Sequence, residues 1–275
     1  MPSKYWDEKL ADELRRFRYE FPEKKLAGKT VIVAGGTGGL GSALVALLAR
    51  EGAKLIVGYR WNRERAEALR GAIQEQFNAA IELVAGDIAE AAVIEEYVAA
   101  VQRTSQPLVG AAIFPGDPAR VALEALTRET MTASVESNYV GPVLLAKRLG
   151  EIMEQTNDGG SLVMLATMQA IAPFASSVNY AAPKAALVHA ARILAQQWDK
   201  VVVNVVAPGA TVAGMAESSV RSGKYDRHIA SGAISRFGRP EDVARAVRFF
   251  LEPGQYANGE VLVVDGGLTI RRDRV

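Results

Sequence analysis

Two groups of residues in this chain have the types and spacing to do chemistry. Tyr180 and Lys184 lie one helical turn apart, so their side chains share a face. A tyrosine with a pKa of about 10 is a poor acid or base at neutral pH. An ammonium beside it favours the phenolate and lowers that pKa. A tyrosine tuned this way delivers a proton to a carbonyl oxygen while hydride reaches the carbon, or does the reverse. Tyr-x-x-x-Lys also occurs on ordinary surface helices. Its place between a strand ending at Ala166-Thr167 and one entering Pro208-Gly209 gives it weight here.

The second group is Val31-Ile32-Val33-Ala34-Gly35-Gly36-Thr37-Gly38-Gly39-Leu40-Gly41. It reads as a short buried strand running into a glycine-rich turn, then a helix with Ala43, Leu44, Leu47 and Leu48 on one face. Such a turn brings backbone N–H groups and a helix N-terminus close to an anion. The usual anion there is the pyrophosphate of a dinucleotide. Three glycine spacings fit at once. Gly36, Gly38 and Gly41 give G-x-G-x-x-G; Gly35, Gly39 and Gly41 give G-x-x-x-G-x-G; Gly35, Gly38 and Gly41 give G-x-x-G-x-x-G. These belong to different nucleotide-binding families, so spacing alone does not choose, and a plain flexible turn is the bland alternative.

The elements that must position these groups alternate along the chain. Strands are predicted at 31–34, 54–59, 81–85, 108–114, 161–166, 201–207 and 261–264. Helices are predicted near 41–50, 63–77, 90–103, 128–155, 176–199 and 240–251. The strands are continuous apolar runs, as expected where helices cover both faces. This alternation means right-handed β-α-β units. The predicted fold is α/β: a single-domain Rossmann fold, a doubly wound seven-stranded parallel sheet with helices on both faces. Ligands of such sheets bind at the carboxyl ends of the strands, where the strand order reverses. Residues 1–25 stand apart, with Trp6, Leu10, Leu14, Phe17 and Phe21 at helical spacing. We read them as an amphipathic arm preceding a dinucleotide-binding domain at 26–275, with a mobile lid near 212–235.

Composition limits the alternatives. The 275 residues are 49% hydrophobic, and Lys+Arg 32 against Asp+Glu 31 leaves a charge of +1. No charge excess points to nucleic acid or a membrane surface. Cysteine is absent and there are two histidines, so thiolate and histidine-rich metal sites are excluded and no metal is expected. His189 falls in an apolar helical stretch where a packing role is expected. No apolar run is long enough for a bilayer. The expectation is a soluble cytoplasmic protein.

After the second strand, an Asp or Glu about 20 residues beyond the glycines would select the unphosphorylated adenosine ribose. Here stand Gly58-Tyr59-Arg60-Trp61-Asn62-Arg63, with no acid until Glu64. Arg60 and Arg63 suit a 2′-phosphate, or are solvated residues at a helix start. The reading favours NADP(H) over NAD(H). Asp87, in Gly86-Asp87-Ile88, is placed either to meet the adenine ring or to cap the next helix.

These pieces, taken in order, resemble the short-chain dehydrogenase/reductase family, in particular its 3-ketoacyl-carrier-protein reductase-like members. The resemblance spans Lys29 to Leu268. The glycine run is similar to T-G-x-x-x-G-I-G with Ala34 in place of the Thr. Ser137-Asn138-Tyr139-Val140-Gly141, Thr167 thirteen residues before Tyr180, and Tyr180-Ala181-Ala182-Pro183-Lys184 match the active-site segments. Asn204 to Gly209 matches N-x-x-x-P-G, and Arg239 to Ala244 and Val264 to Gly267 match C-terminal signatures. The resemblance implies that Tyr180 donates or accepts the proton and that Lys184 binds the nicotinamide ribose and tunes Tyr180. Thr167 would hold the substrate oxygen, Asn138 a relay water behind Lys184, and Pro208 and Gly209 the nicotinamide. It places Gly35, Thr37, Gly38, Gly39, Leu40, Gly41, Tyr59, Arg60, Asp87 and Ile88 on the cofactor. Enoyl reductases of this superfamily have a longer Tyr–Lys spacing, so the match favours carbonyl or alcohol chemistry. A homotetramer or homodimer is implied.

Three departures stand out. Thr167 replaces the family's serine and adds a methyl. Ile113-Phe114-Pro115-Gly116 replaces N-N-A-G, whose asparagine braces the sheet by hydrogen bonds, and Ala213 replaces a threonine. Either packing at Phe114 compensates or the site is partly dismantled. The competing function is therefore a cofactor-binding sensor or scaffold without turnover. A sugar-nucleotide epimerase, allowed by one glycine spacing, would carry a larger C-terminal domain and is discounted. Phe114, Met168, Gln169, Ile171, Phe174, Val212 and Met215 are expected near the pocket, which points to an apolar or ring-bearing carbonyl compound.

Overall fold

The computed structural model describes residues 26–175, 177–214 and 217–271. The arm at 1–25 lies outside the described residues, as does Met215. The sheet comprises β1 (Thr30–Ala34), β2 (Lys54–Tyr59), β3 (Ile81–Ala85), β4 (Leu108–Ile113), β5 (Gly160–Leu165), β6 (Val201–Pro208) and β7 (Val261–Val264). All pairs are parallel, in the order β3-β2-β1-β4-β5-β6-β7. The order reverses between β1 and β4, which opens the cleft at their carboxyl ends.

The helices are α1 (Gly41–Arg50), α2 (Arg63–Phe77), α3 (Ala91–Arg103), α4 (Arg128–Val135), α5 (Gly141–Glu154), α6 (Val178–Leu194), α7 (Glu217–Arg221), α8 (Asp226–Ala230), α9 (Pro240–Phe250) and α10 (Leu268–Arg271). One face of the sheet packs against α3, α5 and α6 through Tyr97, Leu145, Leu149 and Leu187. The other packs against α1, α2 and α9 through Leu44, Leu48, Ile73, Val247 and Phe250. Two covered faces explain why the strands are apolar throughout rather than alternating. No described helix is long and apolar enough to cross a membrane.

The long helix expected at 128–155 is divided. Between α4 and α5, residues Glu136–Val140 form a π turn. The cause is local. Pro142 has no N–H to return to the Asn138 carbonyl, and the Gly141 N–H reaches back to the Glu136 carbonyl instead. The helix expected at 176–199 is shorter, ending at Leu194. His189 is exposed rather than packed, because it falls on the solvent side of α6. The buried histidine is His228, 3% exposed, with no partner for Nδ1.

The signatures near the C-terminus are structural. Asn204 donates to the Ala257 carbonyl at 2.8 Å and accepts from the Glu260 N–H at 3.0 Å, tying β6 to the approach of β7. Asp242 accepts from the Arg239 N–H at 2.8 Å and closes the first turn of α9.

Candidate active site

The glycine turn after β1 and the residues after β2 and β3 meet in one cleft with about 910 Å³ of space free of protein atoms. Gly35, Thr37, Gly38, Gly39, Leu40 and Gly41 line one side. Tyr59, Arg60, Asp87 and Ile88 line the other. The turn is tight enough to demand glycine. A Cβ on Gly41 would lie 2.5 Å from the Gly35 carbonyl oxygen, and one on Gly39 would lie 2.5 Å from the Gly214 nitrogen. The closely wound turn and the α1 N-terminus fit a pyrophosphate.

The arginines depart from expectation. Arg60 donates to Asp87 Oδ2 at 3.2 Å and lies 3.9 Å from Asp117. Its fork is thus already paired at the cleft rim. Arg63 is exposed beside Glu67 on α2 and does not line the cleft. Arg65, not singled out from the sequence, donates from Nε to the Thr37 carbonyl at 2.6 Å and ties α2 to the glycine turn. Asp87 accepts from the Ala89 N–H at 3.0 Å, but the helix begins later, with Glu90 at its N-cap. The capping alternative is therefore ruled out.

A second cavity adjoins the first, sharing Leu40 and Leu165. Thr167, Tyr180, Lys184, Pro208 and Gly209 all line it. Burial pushes the Tyr180 hydroxyl up to about 12, opposed by a hydrogen bond with Thr167 and by the Arg120 guanidinium. Lys184 is 1% exposed, and burial pulls its ammonium down to about 7. Its Nζ donates to the Leu165 carbonyl at 2.9 Å and the Pro115 carbonyl at 3.3 Å. Burial is the largest influence on both groups, raising Tyr180 and lowering Lys184.

Asn138, fully buried in the π turn, lines neither cavity. It donates to the Asp117 carbonyl at 3.0 Å and accepts from the Asp117 N–H at 3.2 Å, bracing the loop after β4. It also donates to Ser134 at 3.1 Å, and Ser134 donates in turn to the Asn179 carbonyl on α6. Gly116 separates Asn138 from Lys184. A Cβ there would lie 2.6 Å from Asn138 Oδ1 and 3.1 Å from Lys184 Nζ. Gly116→Ala is expected to lower kcat about tenfold to a hundredfold by shifting both side chains. Steady-state kinetics checks this; an unchanged kcat would show that neither position matters to the rate.

A sequence profile described as enoyl-(acyl carrier protein) reductase matches residues 34–269, most of the chain. The chain is a short-chain dehydrogenase/reductase. It is 29% identical to the 3-oxoacyl-[acyl-carrier-protein] reductase MabA of Mycobacterium tuberculosis over 248 residues, 87% of this chain and 92% of that protein. It is 28% identical to the 3-oxoacyl-[acyl-carrier-protein] reductase FabG of Aggregatibacter actinomycetemcomitans over 243 residues, 87% of this chain and 99% of that protein. The crystal structure of levodione reductase superposes with a TM-score of 0.82 at 27% identity, covering 89% of this chain and 99% of that one. These relatives make the protein an oxidoreductase of that family.

Two departures from the family pattern find a structural account in this short-chain dehydrogenase/reductase. Phe114 is buried among the core residues beside α1 and β1, and its N–H donates to the Ala34 carbonyl at 3.0 Å. Phe114 is thus packed into the core where the family's asparagine braces the sheet. Ala213 lines the second cavity, close to the glycine turn. The pocket itself differs from expectation. Met168 and Gln169 line the second cavity and Phe114 the first, but Ile171, Phe174 and Val212 line neither. In their place stand Arg120, Lys224 and Tyr225, which the sequence did not single out because no motif marks them. The expected lid carries two short helices, α7 and α8.

Proposed function

We propose that this enzyme transfers hydride between NADP(H) and a carbonyl or secondary alcohol substrate, with Tyr180 as general acid or base. The carrying observation is that Thr167, Tyr180 and Lys184 line one cavity, and that this cavity shares Leu40 and Leu165 with the glycine-lined cleft. When bound, the nicotinamide supplies or accepts the hydride. The glycine turn from Gly35 to Gly41 would hold the pyrophosphate, and Tyr59, Arg60, Asp87 and Ile88 the adenosine end. Lys184, Pro208 and Gly209 would hold the nicotinamide end. Thr167 orients the substrate oxygen toward the Tyr180 hydroxyl, which gives up its proton to that oxygen during reduction. Asn138 would keep a relay water behind Lys184 while bracing the 116–120 loop. The three-residue gap between Tyr180 and Lys184 favours carbonyl chemistry over enoyl reduction.

NADP(H) is favoured because no carboxylate follows β2 and Arg60 stands at the cleft rim. A 2′-phosphate would have to compete with Asp87 and Asp117 for that guanidinium. Calorimetric titration is expected to show NADPH binding more tightly than NADH, with Arg60→Gln reducing that preference about tenfold. Tighter NADH binding would sink the cofactor assignment. Binding without reduction of any carbonyl compound would favour the sensor reading. A homodimer or homotetramer would cover Met131, Val135, Val178 and Ile193, exposed apolar residues on α4 and α6.

A further inference from the structure

The second cavity contains three cationic side chains and no acidic one among the described residues that line it: Arg120, Lys184 and Lys224. Lys184 is buried behind Tyr180 and held by main-chain carbonyls, which leaves Arg120 and Lys224 toward the substrate side. Arg120 is placed with care. It follows Ala119, whose φ of 44° is in the left-handed region that an alanine seldom adopts. Four bonds hold that backbone, two of them between Asn138 and Asp117. Asp117 accepts from the Ala119 N–H at 2.8 Å, Asn179 on α6 donates to the Ala119 carbonyl at 3.2 Å, and Asn138 clamps Asp117. On the far side, an Arg120 nitrogen donates to Ser218 Oγ of α7 at 2.5 Å. Arg120 lines the same cavity as Tyr180 and Tyr225. Lys224 Nζ sits 5.9 Å from the centre of the Tyr225 ring at the cavity mouth. Glu217 is engaged with Arg221 at 2.7 Å, in a neighbouring surface groove that also touches Arg120.

We infer that the substrate carries a carboxylate near its reacting carbonyl, and that Arg120, seconded by Lys224, is the residue that selects for it. This rests on the carbonyl-reductase reading above and narrows it from carbonyl compounds in general to oxo acids. The reaction balances as an ordinary reduction. Hydride from the reduced nicotinamide forms the new C–H bond, the Tyr180 proton forms the O–H bond, and the carboxylate is unchanged. A guanidinium suits that task because its five N–H donors let it meet a carboxylate oxygen beside the bond to Ser218. With no acid among the described residues lining the cavity, a substrate carboxylate meets no like charge there, and a cation offsets the cost of burying it.

The test uses the full chain and matched pairs: 2-oxohexanoate and 4-oxohexanoate, each against its methyl ester. At least one acid is expected to show a kcat/KM about tenfold or more above its ester, carried by KM. Arg120→Met should lower that acid-to-ester ratio at least tenfold, Lys224→Met less, and Arg120→Lys should restore part of it. Any change in kcat common to acid and ester reports the field of Arg120 on Tyr180 rather than recognition. A parallel calorimetric titration with hexanoate and hexanamide needs no turnover. Binding of hexanoate but not hexanamide, lost in Arg120→Met, supports the inference even if no carbonyl compound is reduced. Esters turned over as well as acids, or hexanoate binding that ignores Arg120, overturns it, whatever becomes of the reductase reading.

Discussion

Tyr180→Phe is expected to reduce carbonyl reduction about a hundredfold to ten-thousandfold, the range for losing a positioned general acid. The phenyl ring keeps the packing of the cavity wall, so nucleotide affinity should stay within about threefold. Single-turnover reduction and a nucleotide titration on the same preparation separate the two effects. Undiminished reduction would remove Tyr180 from the mechanism. The pKa direction adds a second arm. A hydroxyl raised to about 12 by burial is protonated throughout the neutral range, so it serves reduction without titrating. Alcohol oxidation needs the phenolate, so its rate should rise with pH across the alkaline range while reduction stays flat.

Lys184 carries the second large effect, and it shows in stability. Its ordinary value is 10.5 and the folded protein holds it near 7. Between these values the unfolded chain binds the proton and the folded chain does not. Stability therefore rises with pH across that window and is lost as pH falls toward 7, where the buried amine must charge. One proton of difference is a slope of about 1.4 kcal/mol per pH unit. In Lys184→Met the slope of denaturant-derived stability between those pH values should flatten by roughly that amount. An unchanged slope would mean the folded amine keeps its ordinary proton. The same variant should lose most of its reductase activity, because the Leu165 and Pro115 carbonyls lose the donor that joins them.

The fold was legible because its signals are redundant. Continuous apolar strands, the turn at Gly35–Gly41 and the helical patterns between them all point to one sheet with two covered faces. The pieces of the site that belong to those elements were legible too: Thr167 after β5, Tyr180 and Lys184 on α6, Pro208 and Gly209 at the end of β6. What stayed hidden depends on loops and long side chains. Arg120 lines the cavity beside an Ala119 with a left-handed backbone held by Asp117 and Asn179, and no local pattern announces that. Arg60 looked like a free fork because its partners, Asp87 and Asp117, come from two other crossovers. The effect of burial on Tyr180 and Lys184 was hidden for a different reason. Spacing shows that two side chains share a face, but not how much water remains around them.

The π turn at Glu136–Val140 has one more consequence, visible as a matter of indels. A π turn is an α-helix with one residue too many, and each extra residue rotates the downstream helix by roughly 100°. Here that surplus turns Asn138 inward while α5 still presents Leu145 and Leu149 to the sheet. Deleting one residue from this turn would spoil the aim of Asn138, while Pro142 would still leave a carbonyl one turn earlier without its N–H.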